Sequence, residues 1–123
     1  MARHVVAKYS DIADGRPVIA DIGGRSIGVV AANGEMFALR NVCPHQQGPL
    51  CEGTIFPAHK ASVAPNGDVI EYLDHEQLVI CCPWHGWEFD IRTGTCLADP
   101  GRRIATYPVS IEGDDVVVEV PDL

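Results

Sequence analysis

The sequence predicts an all-β chain: an antiparallel β-sandwich built from both ends, with a smaller unit inserted between them. Three observations predict this. Short β-branched-rich runs separated by turn signals fill residues 1–40 and return in 101–123. No segment sustains the 3.6-residue apolar period of an amphipathic helix. Residues 41–100 are instead richer in Pro, Gly, Cys and His than either flank.

Taken in order, His4-Val5-Val6-Ala7 reads as a first strand, and Asp11 to Gly15 as a polar turn region. Pro17 to Ile22 and Ser26 to Ala32 are paired by Gly23-Gly24-Arg25, a hairpin signal. Asn33-Gly34 sits between Val29–Ala32 and Met36–Leu39, and its two residues tolerate the positive φ of a two-residue hairpin turn. In the middle, Gln77 to Cys81 and Trp87 to Asp90 read as strands. Thr93-Gly94 makes a turn, with Thr95-Cys96-Leu97 as the returning strand. At the end, Ala105 to Ile111 and Val116 to Val120 flank a Gly113-Asp114 turn.

At 123 residues the chain is one domain with a modest core. Its net charge of −8 argues against nucleic acid or an anionic membrane as partner, since both attract basic patches. A basic protein partner is electrostatically compatible, and solubility alone also accounts for acidity. The N-terminus lacks the apolar core of a secretory signal, and no apolar run has membrane-spanning length. Five cysteines, an odd number, fit free thiols in a reducing compartment.

The chemistry concentrates in two pairs, Cys43-Pro44-His45 and Cys82-Pro83-Trp84-His85. Each joins a soft thiolate to a borderline imidazole, a donor set that suits iron–sulfur clusters, zinc or copper. Two Cys and two His, one of each per loop, satisfy a mixed-ligand two-iron cluster, in which His replaces Cys on one iron. Zinc is the rival, because Cys₂His₂ also binds it tetrahedrally, although C-x-H is tighter than the usual zinc spacing. Ordinary loop Cys and His residues are the bland alternative.

The strings CPHQQGPL and CPWHGW resemble the Rieske 2Fe–2S family. The resemblance implies a Rieske-type antiparallel β-sandwich: a basal part over 1–40 and 101–123 and a cluster-binding subdomain over 41–100. It implies one 2Fe–2S cluster, with Cys43 and Cys82 on the inner iron and His45 and His85 on the outer one. An outer His near solvent can serve as an electron exit. Respiratory Rieske subunits carry an N-terminal membrane helix, so this chain is similar to the soluble, cytoplasmic members.

Departures from the family separate its branches. Respiratory members carry an extra Cys in each ligand loop, joined as a disulfide; here Gly48 and Trp84 take those places. Those members also have a Ser and a Tyr that donate hydrogen bonds to cluster and ligand sulfur; here Trp87 and Phe89 stand instead. Losing such bonds lowers the potential, toward the low end of the Rieske range. Gln47 replaces a common Gly. Residues 46–81 form an unusually long span, with the excess near 54–76 and an extra hairpin at Asn66-Gly67-Asp68. That excursion reads either as a tolerated surface loop or as a partner-recognition feature. His4, His59 and His75 read as solvated, Cys81 as a small core residue, and Cys51 as a buried free thiol. Pro49, Leu50, Pro83 and Trp84 are candidates for an apolar collar around the cluster.

The resemblance implies a Rieske-type ferredoxin, a one-electron carrier from a flavin-dependent reductase to a terminal oxygenase and not itself an enzyme. The large oxygenase subunits that share CPWHGW need a further catalytic domain with a mononuclear iron, for which the ends of this chain leave no room. The alternatives are a redox-sensing or accessory Rieske subunit, as in nitrite reductase small subunits, and a zinc-binding interaction module.

Overall fold

The structure, a computed structural model, describes residues 2–12, 16–32, 34–43, 48–83 and 86–121. Among them the regular elements are ten strands and two short 3-10 turns. The strands are β1 (Ala2–Lys8), β2 (Val18–Ile22), β3 (Arg25–Ala32), β4 (Glu35–Arg40), β5 (Thr54–Val63), β6 (Val69–Cys81), β7 (Glu88–Asp90), β8 (Thr106–Tyr107), β9 (Val109–Glu112) and β10 (Asp115–Val120). They form three antiparallel sheets ordered β1-β10-β9, β2-β3-β4-β8 and β5-β6-β7. No helix among the described residues is long and apolar enough to cross a membrane.

Strand alternation explains how these sheets share cores. Successive side chains of a strand point to opposite faces. In β10, Val116, Val118 and Val120 are buried and pack with Ile22, Ile27, Val29, Ala38 and Tyr107 as one core. The other face of β3 and β4 supplies Ala32, Phe37 and Leu39 to a second core. There they meet Ile80 of β6 and Phe89 of β7, with Ile91 and Ile104 beside them. The β2-β3-β4-β8 sheet is therefore buried on both faces, which accounts for the run of fully buried residues Ile27, Val29 and Val30 in β3. Each such side chain contributes roughly 1.5–3 kcal/mol on burial.

Two hairpin turns fall where the sequence puts them, at Gly23-Gly24 and at Gly113, and all three of these glycines have positive φ. In the Asn33-Gly34 turn, Gly34 has φ +76, and Asn33 lies outside the described residues. Ala13, Asp14 and Gly15, in the polar region after Asp11, lie outside them too. Thr95-Cys96-Leu97 departs from expectation. It is not a strand: one isolated bridge, Phe89 to Cys96, joins it to β7, and another joins Thr95 to Arg103. The hydrogen bonds of its backbone diverge in two directions: Leu97 N–H donates to Glu88 O at 3.0 Å, and Cys96 N–H to Arg102 O at 3.0 Å.

The turn before it is tightly built. The Asp90 carboxylate accepts from the backbone N–H groups of Arg92 (2.8 Å) and Thr93 (3.1 Å). Gly94 follows with φ +78, and a Cβ there would lie 2.2 Å from the carbonyl oxygen of Ile104. Gly67, at φ +91, has nothing within 4 Å of the same position. Gly94→Ala is expected to cost about 3 kcal/mol, from left-handed strain plus a backbone clash. Gly67→Ala should cost about 1 kcal/mol, from strain alone. Urea unfolding of the two variants checks this, and equal losses would contradict it.

Candidate metal centre

The first ligand loop leaves β4, whose Phe37 and Leu39 point into the second core. Asn41 ties the base of this loop. Its N–H donates to Ser26 O at 2.8 Å, and its side-chain oxygen accepts from Cys51 N–H at 2.8 Å. Inside that tie, Cys43 N–H donates to Gly48 O at 2.8 Å. The second loop leaves β6, and Cys82 N–H donates to Trp87 O at 2.7 Å. Each loop is thus closed the same way: a cysteine N–H reaches the carbonyl five residues on. Gly86 N–H also donates to Cys82 O at 3.0 Å, with Gly86 at φ +72.

Cys43 and Cys82 are both 1% exposed and belong to the same core, packed among Leu39, Leu50, Ile80 and Phe89. The structure therefore buries in one core both of the cysteines that the sequence singles out. His45 and His85 lie outside the described residues, as do Pro44, Gln47 and Trp84. In sequence, each histidine falls between the two residues that close its loop. Among the described residues, no three His, Cys, Asp or Glu side chains gather to hold a metal ion.

The join between the loops is close-packed. Gly53, just before β5, sits so near β6 that a Cβ there would lie 1.7 Å from Cys81 O. Only glycine lets the two strands meet at this point, one residue before Cys82. Trp87 is half-buried against the core, with the Arg102 guanidinium 5.0 Å from its ring centroid. Arg102 is itself held by Asp99 at 3.2 Å. A cation over an indole contributes about 0.5–1 kcal/mol at such a site. Nothing local in the sequence links positions 87 and 102, so residue pattern does not reveal this pairing.

Other expectations are resolved at the residues around the centre. Leu50 is fully buried in a 3-10 turn, Leu50–Glu52, and packs in the core that holds Cys43 and Cys82. Pro49 is half-buried and Pro83 exposed. Cys81 is half-buried and not a core residue; desolvation, then Glu88 and Cys82, hold its thiol above the ordinary value. Cys51 is a fully buried free thiol, with Sγ 3.8 Å from Leu39 O. His4, His59 and His75 are exposed.

Two loops closed alike, each with a buried cysteine at its start and a histidine position within it in sequence, form the candidate metal centre. The chain belongs to the Rieske family: the model of the Rieske [2Fe-2S] domain matches residues 2–108. It is 29% identical over 112 residues to the ferredoxin component of the p-cumate 2,3-dioxygenase system of Pseudomonas putida, covering 89% of this chain and 79% of that protein. Against the ferredoxin component of naphthalene 1,2-dioxygenase/salicylate 5-hydroxylase systems of a Ralstonia species, identity is 30% over 115 residues, 93% and 91% of the two chains. Among solved structures, the Sphingomonas yanoikuyae B1 ferredoxin superposes with a TM-score of 0.70 at 30% identity, covering 98% of this chain and 100% of that one.

Burial pushes the Cys51 thiol up to about 12, with the Gly28 backbone pulling weakly the other way. The unfolded chain releases this proton near the ordinary value of 9.0. The stability that Cys51 contributes is therefore complete below pH ~9 and eroded as pH climbs toward ~12. The stability gap between the protein and its Cys51→Ala variant, measured by thermal unfolding, should narrow above pH ~9. A gap independent of pH would contradict the burial assignment.

Proposed function

We propose that this chain is a low-potential Rieske-type ferredoxin, a one-electron carrier between a flavin-dependent reductase and a terminal oxygenase. One 2Fe–2S cluster per chain would be held by Cys43 and Cys82 on one iron and by His45 and His85 on the other. The observation that carries the reading is the pair of buried cysteines on identically closed loops, in a chain whose relatives are ferredoxin components of dioxygenase systems.

The donor set fits such a group. A cysteine buried in an apolar core can give up its proton there only against a bound cation, and a ferric pair would supply that charge. When bound, the cluster supplies a one-electron couple whose potential responds to hydrogen bonds at sulfur and to burial. The chain's own residues set the rest. The Trp87 carbonyl and the Gly48 carbonyl fix the two cysteine backbones, and the shared core fixes the loops to each other. Phe89, fully buried, offers no side-chain donor to sulfur, and the net charge of −8 disfavours adding an electron. Both effects lower the potential.

The reading also assigns parts of the chain. The basal sandwich is 1–40 with 101–123, and the cluster-binding subdomain is 41–100 with its extension near 54–76. Five cysteines without a disulfide suit the reducing cytoplasm. A redox titration of the holo-protein is expected to give a midpoint near −150 mV, the approximate low end of the Rieske range. Phe89→Tyr should raise that midpoint by supplying a hydroxyl donor. A midpoint well above zero in the parent protein would overturn the low-potential assignment.

A further inference from the structure

The long span between the ligand pairs is a two-stranded arm. β5 and β6 pair continuously from Thr54–Cys81 to Val63–Val69, apart from an irregularity after Pro57. There His75, Glu76 and Gln77 of β6 bulge out, because Pro57 pairs with Leu78 and Ala58 with Asp74. Beyond that bulge the arm has only its own two strands: β7 pairs with Val79, Ile80 and Cys81 alone. Its last pair lies about 30 Å along the strands from Cys81.

This arm is apolar where a solvated excursion would be polar. Half of the exposed large hydrophobics among the described residues lie between positions 63 and 73. Val63 is 72% exposed, Val69 64%, and Ile70 and Leu73 53% each. Register puts Val63, Val69 and Leu73 on one face, with Ile70 and Tyr72 on the other. Isolated exposed apolar residues are ordinary, but five on one two-stranded ribbon with open edges mark an interaction surface. The charges around them are mostly acidic. Residues 58–76 hold Asp68, Glu71, Asp74 and Glu76 against Lys60 alone, and Lys60 is taken by Asp74 at 2.5 Å. At the arm's base the bulge opens onto a groove of about 530 Å³, lined by Glu35, Glu76, Asp90 and Arg92 among others.

We propose that the arm docks a redox-partner protein, one whose docking face carries an apolar strip edged by Lys and Arg. This rests on the electron-carrier reading. Charge decides the occupant: a second copy of a chain of −8 would bring acidic arm against acidic arm, whereas a basic rim is attracted to it. With its tip about 30 Å along the strands from Cys81, the arm adds affinity without covering the path of the electron.

The test compares the holo-protein with two variants, Val63→Ser/Val69→Ser/Leu73→Ser and Glu71→Lys/Glu76→Lys, in electron transfer with purified reductase and oxygenase as probes. Both variants should raise the KM for the ferredoxin about tenfold with one of the two partners. kcat, the midpoint potential and the circular dichroism spectrum should stay unchanged. The parent complex should weaken with salt. Unchanged KM with both partners would overturn the docking role while leaving the carrier reading intact. A parent protein that sediments as a dimer, made monomeric by the serine variant, would overturn it in favour of self-association. A parent protein that passes no electrons would overturn both readings.

Discussion

Two cysteine sulfurs have to share one apolar core while their backbones belong to loops almost forty residues apart in sequence. Most of the molecule can be understood from that constraint. The first loop must start from a strand whose side chains already face the core, and β4 supplies Phe37 and Leu39 there. The second must leave a strand anchored in the same core, and β6 supplies Ile80 directly before Cys81-Cys82. Neither cysteine backbone can wander, because each N–H is spent on the carbonyl five residues later. Both cysteine side chains are held in the core as a result.

The β2-β3-β4-β8 sheet makes this arrangement stable. Burial on both faces lets a chain of 123 residues build two cores around one sheet. Val116, Val118 and Val120 close one side, and the cysteine-bearing core closes the other. A change at Ala38 or Val29 therefore acts on the basal core, and a change at Leu39 acts on the ligand loops, although Ala38 and Leu39 are adjacent. The parity of a strand separates stability from site geometry. The fit of Gly53 against Cys81 O carries the same constraint to the third sheet.

Much of this was legible from residue pattern. Terminal hairpins showed through their Gly turns and alternating Val and Ile, because one face of each strand is buried. The two Cys-His pairs stand out in the sequence because their composition has few other uses. The arm was legible only as an excess with one local turn at Asn66-Gly67-Asp68. Its strands lack hydrophobic alternation since neither face is covered, and Pro57 argues against a strand interior. The structure accommodates Pro57 on an edge strand next to the bulge. A 3-10 turn folds Leu50 into the core of Cys43 and Cys82, a contact that no short-range pattern records. Cys81 failed as a core residue because strand alternation turns it away from the core that Ile80 and Cys82 share.

On the proposed reading, Cys43 and Cys82 bind one two-iron cluster together with His45 and His85. Pulsed EPR of the dithionite-reduced protein, with iron and sulfide analysis of the same sample, tests it most directly. Two irons and two sulfides per chain are expected, with nitrogen coupling from two histidine ligands, as a mixed-ligand cluster requires. An EPR-silent protein carrying stoichiometric zinc would contradict it.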